Sequence, residues 1–297
     1  MQLSVIIVSW NTKKLLYDCL NSIYKFTSGL KFEVVVVDNG SGDGSVDMVE
    51  KKFPKTKLIL NKENLGFSKA NNQGIKIAKG QYIFLLNSDT YLVENSFKKL
   101  LNNIKLRSKL GVIAPQLLNE DQTIQQSAGY FPHLPQIFFW MSFLDDLPFG
   151  LLFKPYHIDH DSFYKNGHQI DWVTAAALMI PKKVIDEVGL LDPQFFMYGE
   201  EVEWCYRIKK AGYKVYFYPN TKIIHIGRGS RQKVPTQAFI GEYEGLMYFY
   251  KKYKSRVALQ ILKVLLKIGA LVRIAVFGAL GRKELAKSYV ETFKAIR

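Results

Sequence analysis

Residues 33–45 read EVVVVDNGSGDGS, and this stretch is the clearest indication of the fold. Four consecutive valines predict a strand that is buried on both faces, because a half-exposed strand would alternate apolar and polar residues. The strand ends at Asp38, and the polar residues 39–41 that follow it are typical of a turn. A buried strand with polar side chains at its carboxyl end is typical of an open parallel sheet, which binds its ligand at that edge.

Two similar apolar runs, Leu3–Ser9 and 81–86, stand on either side of this strand in the sequence, at the spacing of βαβ units. Helical periodicity and one further strand fill the intervals: helices at 13–27, 45–53 and 66–78, and a strand at Lys57–Leu60. Apolar strands alternating with helices predict an α/β fold, with a Rossmann-like mixed, mainly parallel sheet and helices on both faces. We expect the strand ends at Ser9, Asp38 and residues 87–89 to lie side by side.

Regular structure is predicted again from residue 172 onward. We expect a strand at 172–180, helices at Lys182–Val188 and 202–208, and strands at 213–218 and 222–226. The preceding segment, 130–157, is aromatic, interrupted by Pro and without clean periodicity. It suits an acceptor loop, a membrane-contacting hairpin or a packed excursion over the core, and we assign 130–171 to an insertion near the membrane on the acceptor side.

The formal net charge of +15 in 297 residues is concentrated at the C-terminus. Residues 251–297 hold twelve Lys and Arg against two Glu, so this segment attracts anionic lipid head groups or nucleic acid. Within it, 257–280 is largely apolar but carries Lys263, Lys267 and Arg273, which make a membrane span costly. A basic amphipathic helix in the membrane interface fits better. The alternatives are a helix packed on the protein's own sheet and a true span.

Composition and cysteine spacing exclude several classes of protein. Hydrophobic residues make up 48% of the chain and charged residues 23%, so extended disorder is not expected. Cys19 and Cys205 lie too far apart for a metal or redox motif and indicate a reducing compartment. The N-terminus, MQLSVIIVSWN, has no basic region and is typical of a strand, not of a signal peptide. We therefore expect a cytoplasmic protein, peripheral on the inner face of the cell membrane.

Asp38 is the candidate for recognition of a nucleotide base. A carboxylate at the end of a buried strand is placed to accept a hydrogen bond from the imide N–H of uracil or thymine. The alternative is that Asp38 caps the turn that follows it, since Asp and Asn are common in that role.

Asp89 and His225 are the candidates for a metal site. Asp89 closes the strand pattern FLLNSD at 84–89, and a carboxylate there suits Mn²⁺ or Mg²⁺ together with ligand phosphates. His225, at the end of the strand predicted at 222–226, would complete the coordination. Each of the two residues alone is more often structural, and their combination favours the metal.

Three carboxylates, Glu200, Glu201 and Glu203, are crowded next to the aromatic runs FFMY and WCY. Crowding and partial burial both raise the pKa of a carboxyl group, which suits a general base. The alternative is that these acids complement the dipole at the N-terminus of a helix. The aromatic neighbours favour the wall of a cleft.

Five stretches, in this order, resemble the family 2 glycosyltransferases, and among them the bacterial rhamnosyltransferase-like branch. They are SVIIVSWN at 4–11, VVVVDNGSGDGS at 34–45, NKENLGFSKANNQGIKIAKGQYIFLLNSDT at 61–90, WVTAAALMIPKKVIDEVGLLDPQFFMYGEEVEWCYRIKKAGYKVYFYP at 172–219, and IIHIGRGS at 223–230. Together the five stretches extend over more than two-thirds of the chain.

The resemblance implies a GT-A fold and an inverting hexosyltransferase that works by metal-assisted in-line displacement. It places a catalytic domain at 1–250 and basic amphipathic helices at 251–297. By similarity, Glu201 is the catalytic carboxylate with Glu200 beside it, and Asp89 and His225 hold Mn²⁺ or Mg²⁺. The implied donor site comprises Ser9, Asn11, Asp38, Asn39, Asn64, Gly66, Asn71, Asn87, Ser88 and Asp89. The implied acceptor side comprises Trp172, Thr174, Tyr198 and Glu203.

Three residues depart from the pattern of the family. Asn87 stands where the first acid of the DxD motif is expected, so the first metal ligand is neutral. Glu201 replaces the more usual Asp, and its carboxylate reaches one methylene further. Ala175 stands where many relatives have Gly, which leaves the acceptor uncertain.

The resemblance also implies the substrates. The donor expected is a nucleoside-diphosphate sugar: deoxythymidine diphosphate-rhamnose first, a uridine diphosphate-hexose second. The acceptor expected is a glycan or a polyprenyl-diphosphate-linked glycan at an anionic membrane surface, with no nucleic acid. A nucleotidyltransferase is disfavoured, because Ser9 and the residues after it do not form a Gly-rich basic loop. The alternative is a non-catalytic or degenerate nucleotide-sugar-binding protein associated with the membrane.

Overall fold

A computed structural model describes residues 1–144, 154–227 and 236–297. Its centre is a mixed sheet in the strand order β3-β2-β1-β4-β11-β6-β12-β5, with β7 added to β6 and β9 to β12; β8 and β10 pair separately. The strands are β1 Leu3–Ser9, β2 Phe32–Asp38, β3 Lys57–Leu60, β4 Tyr82–Asn87, β5 Thr90–Leu92, β6 Leu110–Leu118, β7 Ile124–Gln125, β8 Ala128–Gly129, β9 His168–Ile170, β10 Trp172–Val173, β11 Ala177–Pro181 and β12 Lys214–His225.

Strands β1 to β4 form a parallel half-sheet, in which β1 lies between β2 and β4. Their register brings the carboxyl ends together: Ser9 is opposite Asp38 on one side, and Val8 is opposite Asn87 on the other. Beyond β4, the antiparallel strand β11 connects to β6, and β6 runs parallel to β12. The mainly parallel sheet predicted from the sequence is therefore confirmed.

Helices cover both faces of the sheet. The helices are α1 Lys13–Phe26, α2 Ser45–Lys52, α3 Phe67–Ile77, α4 Ser96–Leu106, α5 Leu134–Met141, α6 Lys182–Val188, α7 Glu200–Lys210, α8 Thr236–Tyr253, α9 Arg256–Ala279 and α10 Lys283–Ala295. Neighbouring residues of β1 show the two layers: Ile7 packs in the core shared with α1, α2 and α4, whereas Ile6 packs in the core shared with α3 and α5 to α9. Because both faces are covered, the strands are apolar without alternation.

Two strand predictions in the second half of the chain need correction. The single strand expected at 172–180 is broken at 174–176, because β10 pairs with β8 whereas β11 pairs with β4 and β6 of the central sheet. The two strands expected at 213–218 and 222–226 are one strand, β12. Its register on β6 jumps between Tyr218 and Lys222, so the residues between them, which include Pro219, form a bulge.

The C-terminal helices belong to the same packed body as the sheet. Tyr243 of α8 and Leu266 of α9 are buried in one hydrophobic cluster with Val112 of β6. The boundary between the catalytic domain and the C-terminal helices, predicted at residue 250, falls inside α8. The division of the chain into these two parts remains a prediction. Part of the aromatic excursion predicted at 130–157, residues 145–153, lies outside the described residues, and α5 occupies its beginning.

Helix α9 carries the three cations of the predicted interfacial helix, but they do not share one environment. Arg273 is buried, and its guanidinium donates to the carbonyls of Met141 and Trp140, so it is a structural residue rather than a membrane-facing one. Lys267 is exposed and Lys263 partly so. Among the helices that the structure describes, none combines the length and the apolar character needed to cross a bilayer.

Candidate active site

A cavity of ≈ 270 Å³ opens at the carboxyl ends of the parallel strands. It is lined by nine residues from the predicted donor, metal and acceptor sets: Asn39, Asn64, Gly66, Asn87, Ser88, Asp89, Thr174, Tyr198 and His225. Ser9, Asn11, Asp38, Asn71, Glu200, Glu201, Trp172 and Glu203 do not line it. The structure therefore brings part of the predicted polar set together around one cavity.

Asp38 is positioned by its own turn and keeps one oxygen unused. Its Oδ1 accepts hydrogen bonds from the backbone N–H groups of Gly40 at 3.1 Å and Ser41 at 2.8 Å. Its Oδ2 is buried and has no hydrogen-bond partner among the described residues. Oδ1 thus caps the turn, as in the alternative role considered for Asp38. Oδ2 remains available to accept a hydrogen bond from a ligand.

Asn11 connects the loops after the first two strands. Its backbone N–H donates to Ser41 Oγ at 2.9 Å, and its side-chain Oδ1 accepts from the N–H of Gly42 at 2.8 Å. Ser9 Oγ is hydrogen-bonded to Thr12, which in turn donates to Ser88 at 3.1 Å. Ser9 and Asn11 thus hold the rim of the cavity together instead of lining it.

A cluster of amides forms the next part of the wall. Asn39 Nδ2 donates to Asn64 Oδ1 at 3.1 Å and to the carbonyl of Gly66 at 3.3 Å. Gly66 has φ of +83°, and a Cβ at this position would lie 2.6 Å from the carbonyl oxygen of Phe196. Only glycine fits this close approach. Asn71 is turned into α3, where it donates to the carbonyl of Phe67.

His225 and Asp89 face each other across the cavity. His225 Nε2 lies 3.3 Å from Asp89 Oδ1 and 3.4 Å from Asn87 Nδ2. The pairing of β12 with β5 brings them together, because His225 is the partner of Thr90, the residue after Asp89. A carboxylate oxygen and a ring nitrogen at this separation are a donor set that a divalent cation could bridge.

In the described ranges, no group of three or more His, Cys, Asp and Glu side chains is placed to hold a metal ion. A cation bound by Asp89 and His225 would take its remaining ligands from water and from a diphosphate, as Mg²⁺ and Mn²⁺ usually do. The neutral Asn87 at the first position of the triplet is consistent with such a shared shell.

Glu200 and Glu201 begin α7, directly after a backbone turn with two positive φ angles. Tyr198 has φ of +76° and Gly199 of +88°, and this turn sets the direction from which α7 begins. Burial, and then the charge of Glu201, hold the pKa of Glu200 well above its ordinary range. Burial, with the charge of Glu242 added, also raises the pKa of Glu201. The Oε2 atoms of both carboxyls are buried without a hydrogen-bond partner among the described residues.

Glu203 differs from its two neighbours, and the expectation that it lies on the acceptor side needs correction. Its carboxylate is fully buried and is held by Arg207, Lys252 and Tyr253. Burial opposes ionisation, but the hydrogen bonds and charge of Arg207, with those of Lys252, hold the pKa of Glu203 below its ordinary value. Glu203 joins α7 to α8, and its oxygens are already occupied.

Trp172 and Thr174 take different positions. Trp172 is buried, and its indole N–H donates to the carbonyl of Tyr130 at 3.0 Å, so it holds the predicted insertion against the sheet. Thr174 lines the cavity beside Ser88.

A second cavity, of ≈ 680 Å³, adjoins the first and shares Trp10, Asn64 and residues 196–198 with it. Its far wall is α8, through Ile240, Glu244 and Tyr248. Phe196 is 61% exposed here, so the two cavities meet at an apolar surface. Sequence reasoning missed this wall, because α8 was not recognised as a helix near the site.

A pair of residues near Glu201 was also missed. His157 Nε2 lies 2.7 Å from Glu242 Oε1, and both groups act on the pKa of Glu201. His157 is enclosed by the rings of Trp140, Tyr156 and Trp172. The clustering of aromatic residues in 130–157 was the available signal, but it did not indicate which residue they surround.

Residues 4–163, more than half of the chain, match the family model described as Glycosyl transferase family 2. N-acetylglucosaminyl-diphospho-decaprenol L-rhamnosyltransferase of Mycobacterium tuberculosis is 21% identical over 234 residues, which cover 73% of this chain and 73% of that protein. The low-salt glycan biosynthesis hexosyltransferase Agl10 of Haloferax volcanii is 24% identical over 266 residues, covering 84% of this chain and 74% of that protein.

Two solved glycosyltransferases share the fold. GalNAc-T7, crystallised with UDP, GalNAc and Mn²⁺, superposes with a TM-score of 0.60 at 20% identity and covers 84% of this chain and 50% of that chain. The mannosyltransferase PcManGT from Pyrobaculum calidifontis, in complex with GDP-Man and Mn²⁺, gives 0.58 at 14% identity, covering 98% of this chain and 85% of that chain. The predicted fold class is confirmed by both. The chain belongs to glycosyl transferase family 2, has the GT-A fold and is a glycosyltransferase.

Proposed function

We propose that this glycosyltransferase moves a sugar, with inversion, from a nucleoside diphosphate to a hydroxyl group of a lipid-linked glycan. The observation that carries the proposal is the composition of the cavity wall. Asp89 and His225 line one part of it, and residues 196–198, which lead into Glu200 and Glu201, line another. The groups suited to a leaving diphosphate thus line the cavity, and Glu201, the group suited to an acceptor proton, follows its wall in the chain at the start of α7.

Glu201 is the proposed general base. As the acceptor oxygen bonds to the anomeric carbon and the bond to the diphosphate breaks, the hydroxyl proton passes to Glu201. A carboxyl with a raised pKa is a better match to a hydroxyl proton than an ordinary one, and its Oε2 is not committed to another group. Glu200 is its buried neighbour, and the two carboxyl groups form an acidic pair.

Asn87, Asp89 and His225 are the proposed holders of a divalent cation, Mn²⁺ or Mg²⁺. When bound, the cation neutralises the charge that develops on the leaving diphosphate. The structures of GalNAc-T7 and PcManGT contain Mn²⁺ with a nucleotide, which supports a cation of this kind here.

The proposed donor carries a pyrimidine base. The unused Oδ2 of Asp38 suits the imide N–H of thymine or uracil, and the turn through Gly40 and Ser41 holds it in place. The relative named as a rhamnosyltransferase favours deoxythymidine diphosphate-rhamnose as donor, with a uridine diphosphate-hexose as the second choice.

The proposed acceptor is a glycan on a polyprenyl diphosphate, as the name of the mycobacterial relative indicates for that protein. The cavity between residues 196–198 and α8 combines apolar side chains with Glu244, which suits a sugar that is attached to a lipid. In this proposal, residues 1–250 form the catalytic domain, with the insertion 130–171 on the acceptor side, and 251–297 form the membrane-binding part.

The proposed membrane contact is the outer face of α9, through which the protein would be peripheral on the cytoplasmic side. Its apolar residues Val264, Ile268 and Leu271 are each more than half exposed and lie on one side of the helix, opposite the buried Leu262 and Leu266. The cations of 251–297 favour an anionic bilayer as the partner of this apolar face.

The test of the donor site is calorimetric binding of UDP, dTDP and GDP, with and without Mn²⁺, to the wild type and to Asp38→Asn. Asparagine keeps the oxygen that accepts from Gly40 and Ser41 but replaces the unused oxygen by an amide N–H. We expect the wild type to bind a pyrimidine nucleoside diphosphate in a metal-dependent way. The affinity of Asp38→Asn for that nucleotide should be roughly 10-fold or more lower, since an unpaired buried polar group costs about 1–3 kcal/mol. Equal affinity for all three bases, or no effect of Asp38→Asn, would contradict the donor assignment.

The test of catalysis is release of the nucleoside diphosphate in the presence of a polyprenyl-diphosphate-linked N-acetylglucosamine. Turnover that stops in Glu201→Gln, with donor binding retained, supports the proposal. Tight donor binding by the wild type without turnover on any lipid-linked acceptor would instead identify a degenerate transferase.

A further inference from the structure

The hairpin between β6 and β7 carries a chain of hydrogen bonds that ends on His225. At its outer end, the exposed carboxylate of Asp121 accepts from Thr123 Oγ1 at 2.6 Å and from the backbone N–H of Thr123 at 3.0 Å. At its inner end, Gln125 Oε1 lies 2.6 Å from His225 Nδ1. Asn119 connects the two ends.

The donors and acceptors in this chain can be oriented in only one direction. Thr123 has a single hydroxyl proton, which it gives to the carboxylate of Asp121, so its oxygen accepts from Asn119 Nδ2 at 2.9 Å. Asn119 therefore presents its Oδ1 to Gln125, and it accepts from Gln125 Nε2 at 2.9 Å.

A second contact fixes the amide of Gln125 independently. Gln125 Nε2 also donates to the backbone carbonyl of His225 at 3.0 Å, and a carbonyl can only accept. A flipped amide would place its oxygen against two acceptors. Gln125 Oε1 is consequently the atom that faces His225 Nδ1, and a hydrogen bond there requires the proton to be on Nδ1.

This orientation decides which ring nitrogen faces the proposed cation. In the neutral ring, a proton on Nδ1 leaves Nε2 without a hydrogen and with a lone pair that can bind a metal. Nε2 is the ring nitrogen that lies 3.3 Å from Asp89 Oδ1. With the other tautomer, Nε2 would carry a hydrogen and donate it to Asp89, and Nε2 could not then bind a metal. The distance of 2.6 Å on the Gln125 side is the shorter of the two, so that contact is the stronger hydrogen bond.

We propose that Gln125 is a positioning residue, which holds His225 in the Nδ1–H tautomer and thereby presents Nε2 as a ligand for the divalent cation. Asn119, Thr123 and Asp121 orient the amide of Gln125 from outside the cavity. This proposal rests on the metal role given to His225 in the proposed function, but the tautomer itself does not depend on the metal.

Two variants and one control separate this role from a general effect on the fold. Gln125→Met keeps the length of the side chain and removes both of its hydrogen-bonding groups. Gln125→Glu keeps an acceptor for Nδ1 but places its second oxygen against Asn119 Oδ1 and the carbonyl of His225, so it serves as a variant for the tautomer and not for the metal affinity. Gln126→Met makes the same change at the adjacent, exposed glutamine, whose side chain contacts the carbonyl of Asp159 and not His225.

The first measurement is the tautomer, by long-range ¹H–¹⁵N correlation on histidine-labelled protein without metal. The chain has five histidines, and His225→Gln identifies the signal. We expect the Nδ1–H form in the wild type, in Gln125→Glu and in Gln126→Met, and a shift to the Nε2–H form in Gln125→Met. An Nε2–H signal in the wild type overturns the proposal without any variant.

The second measurement is Mn²⁺ affinity by electron paramagnetic resonance, in the presence of UDP or dTDP. Loss of a hydrogen-bond partner behind a metal-binding histidine typically costs roughly 10–100-fold in affinity, and we expect a loss in that range for Gln125→Met and none for Gln126→Met. Unchanged affinity in Gln125→Met overturns the proposal. If Mn²⁺ binds to no form of the protein while the tautomer behaves as expected, the metal role in the proposed function fails and the control of the tautomer by Gln125 stands.

Discussion

Gly245 of α8 packs directly against the backbone of Tyr198: a Cβ built on Gly245 would lie 2.6 Å from the carbonyl oxygen of Tyr198. Tyr198 is also the non-glycine residue with φ of +76° that precedes Glu200 and Glu201. The turn that positions the proposed base is thus supported from outside by a helix that begins more than 30 residues later in the sequence.

Gly245→Ala should therefore damage the site as well as the fold. The neighbour is backbone rather than a flexible side chain, so the turn at 197–199 has to move, and overpacking of this kind costs about 1–3 kcal/mol. We expect a lower midpoint in denaturant titration and a lower kcat in the transferase assay. The control is Gly278→Ala in α9, where an added Cβ meets no atom within 4 Å. Equal behaviour of the two variants would contradict a supporting role for Gly245.

Glu201→Gln should lower kcat by roughly 10²–10⁴-fold, the usual contribution of a general base, with nucleotide affinity retained. Glu200→Gln is the matched variant, since it makes the same change one residue away in the same buried pair. A larger loss of kcat in Glu200→Gln than in Glu201→Gln would exchange the roles of the two carboxyls.

The pH dependence of the wild type follows from the same base. Glu201 must be ionised to accept a proton, and burial raises its pKa. The rate should therefore increase with pH through a value above the ordinary range of a Glu, and it should fall as pH is lowered through that value. A pH–rate profile whose acid limb lies at the ordinary pKa of a glutamate would argue against Glu201 as the base.

Much of the site could be predicted from the sequence, because it lies at the ends of strands with a strong local pattern. The positions of Asp38 and Asp89 follow from apolar runs that can be recognised within about ten residues, and the parallel register then places both at the same edge of the sheet. The structure shows β1 to β4 and α1 to α3 within one or two residues of the predicted bounds.

Other features depend on contacts between distant parts of the chain. Glu203 was grouped with Glu200 and Glu201, but its partners Lys252 and Tyr253 lie about 50 residues away on α8. Arg273 was interpreted as an interfacial cation, although it is buried against α5. In both cases the charged side chain is bound by a helix that lies far away in the sequence. The local sequence around Glu203 or Arg273 does not indicate that this helix packs there.

Glu200→Gln should raise the stability of the protein, and the gain should depend on pH. Burial holds the pKa of Glu200 in the folded protein well above its pKa in the unfolded chain. The folded state therefore binds the proton more tightly, and this stabilises the protein fully at a pH below the unfolded pKa. The stabilisation is lost as the pH rises through the folded pKa. Glutamine removes the charge that must be buried at higher pH. We expect a gain of about 1 kcal/mol or more at neutral pH, which shrinks toward acidic pH. Denaturant titrations across this range measure it, with the exposed Glu63→Gln as control; a gain independent of pH would contradict the cause given.

The outer face of α9 gives the last prediction, which concerns the membrane. Burying one Val, Leu or Ile side chain contributes about 1.5–3 kcal/mol to the free energy of binding. Val264→Glu and Ile268→Glu each replace such a side chain on this face by a charge. Each variant should therefore bind anionic vesicles roughly tenfold or more weakly than the wild type. Asn102→Glu introduces the same charge at an exposed position of α4, which packs on the opposite face of the sheet, and should bind like the wild type.

Flotation with phosphatidylglycerol-containing and neutral phosphatidylcholine vesicles measures the partition. Binding of the wild type should also weaken with salt, because Lys267 and the other exposed cations of 251–297 act on the head groups through a screened potential. If the wild type does not float with anionic vesicles, or if all three variants bind alike, α9 is not the membrane contact. In that case its apolar side chains are left for a protein partner to cover.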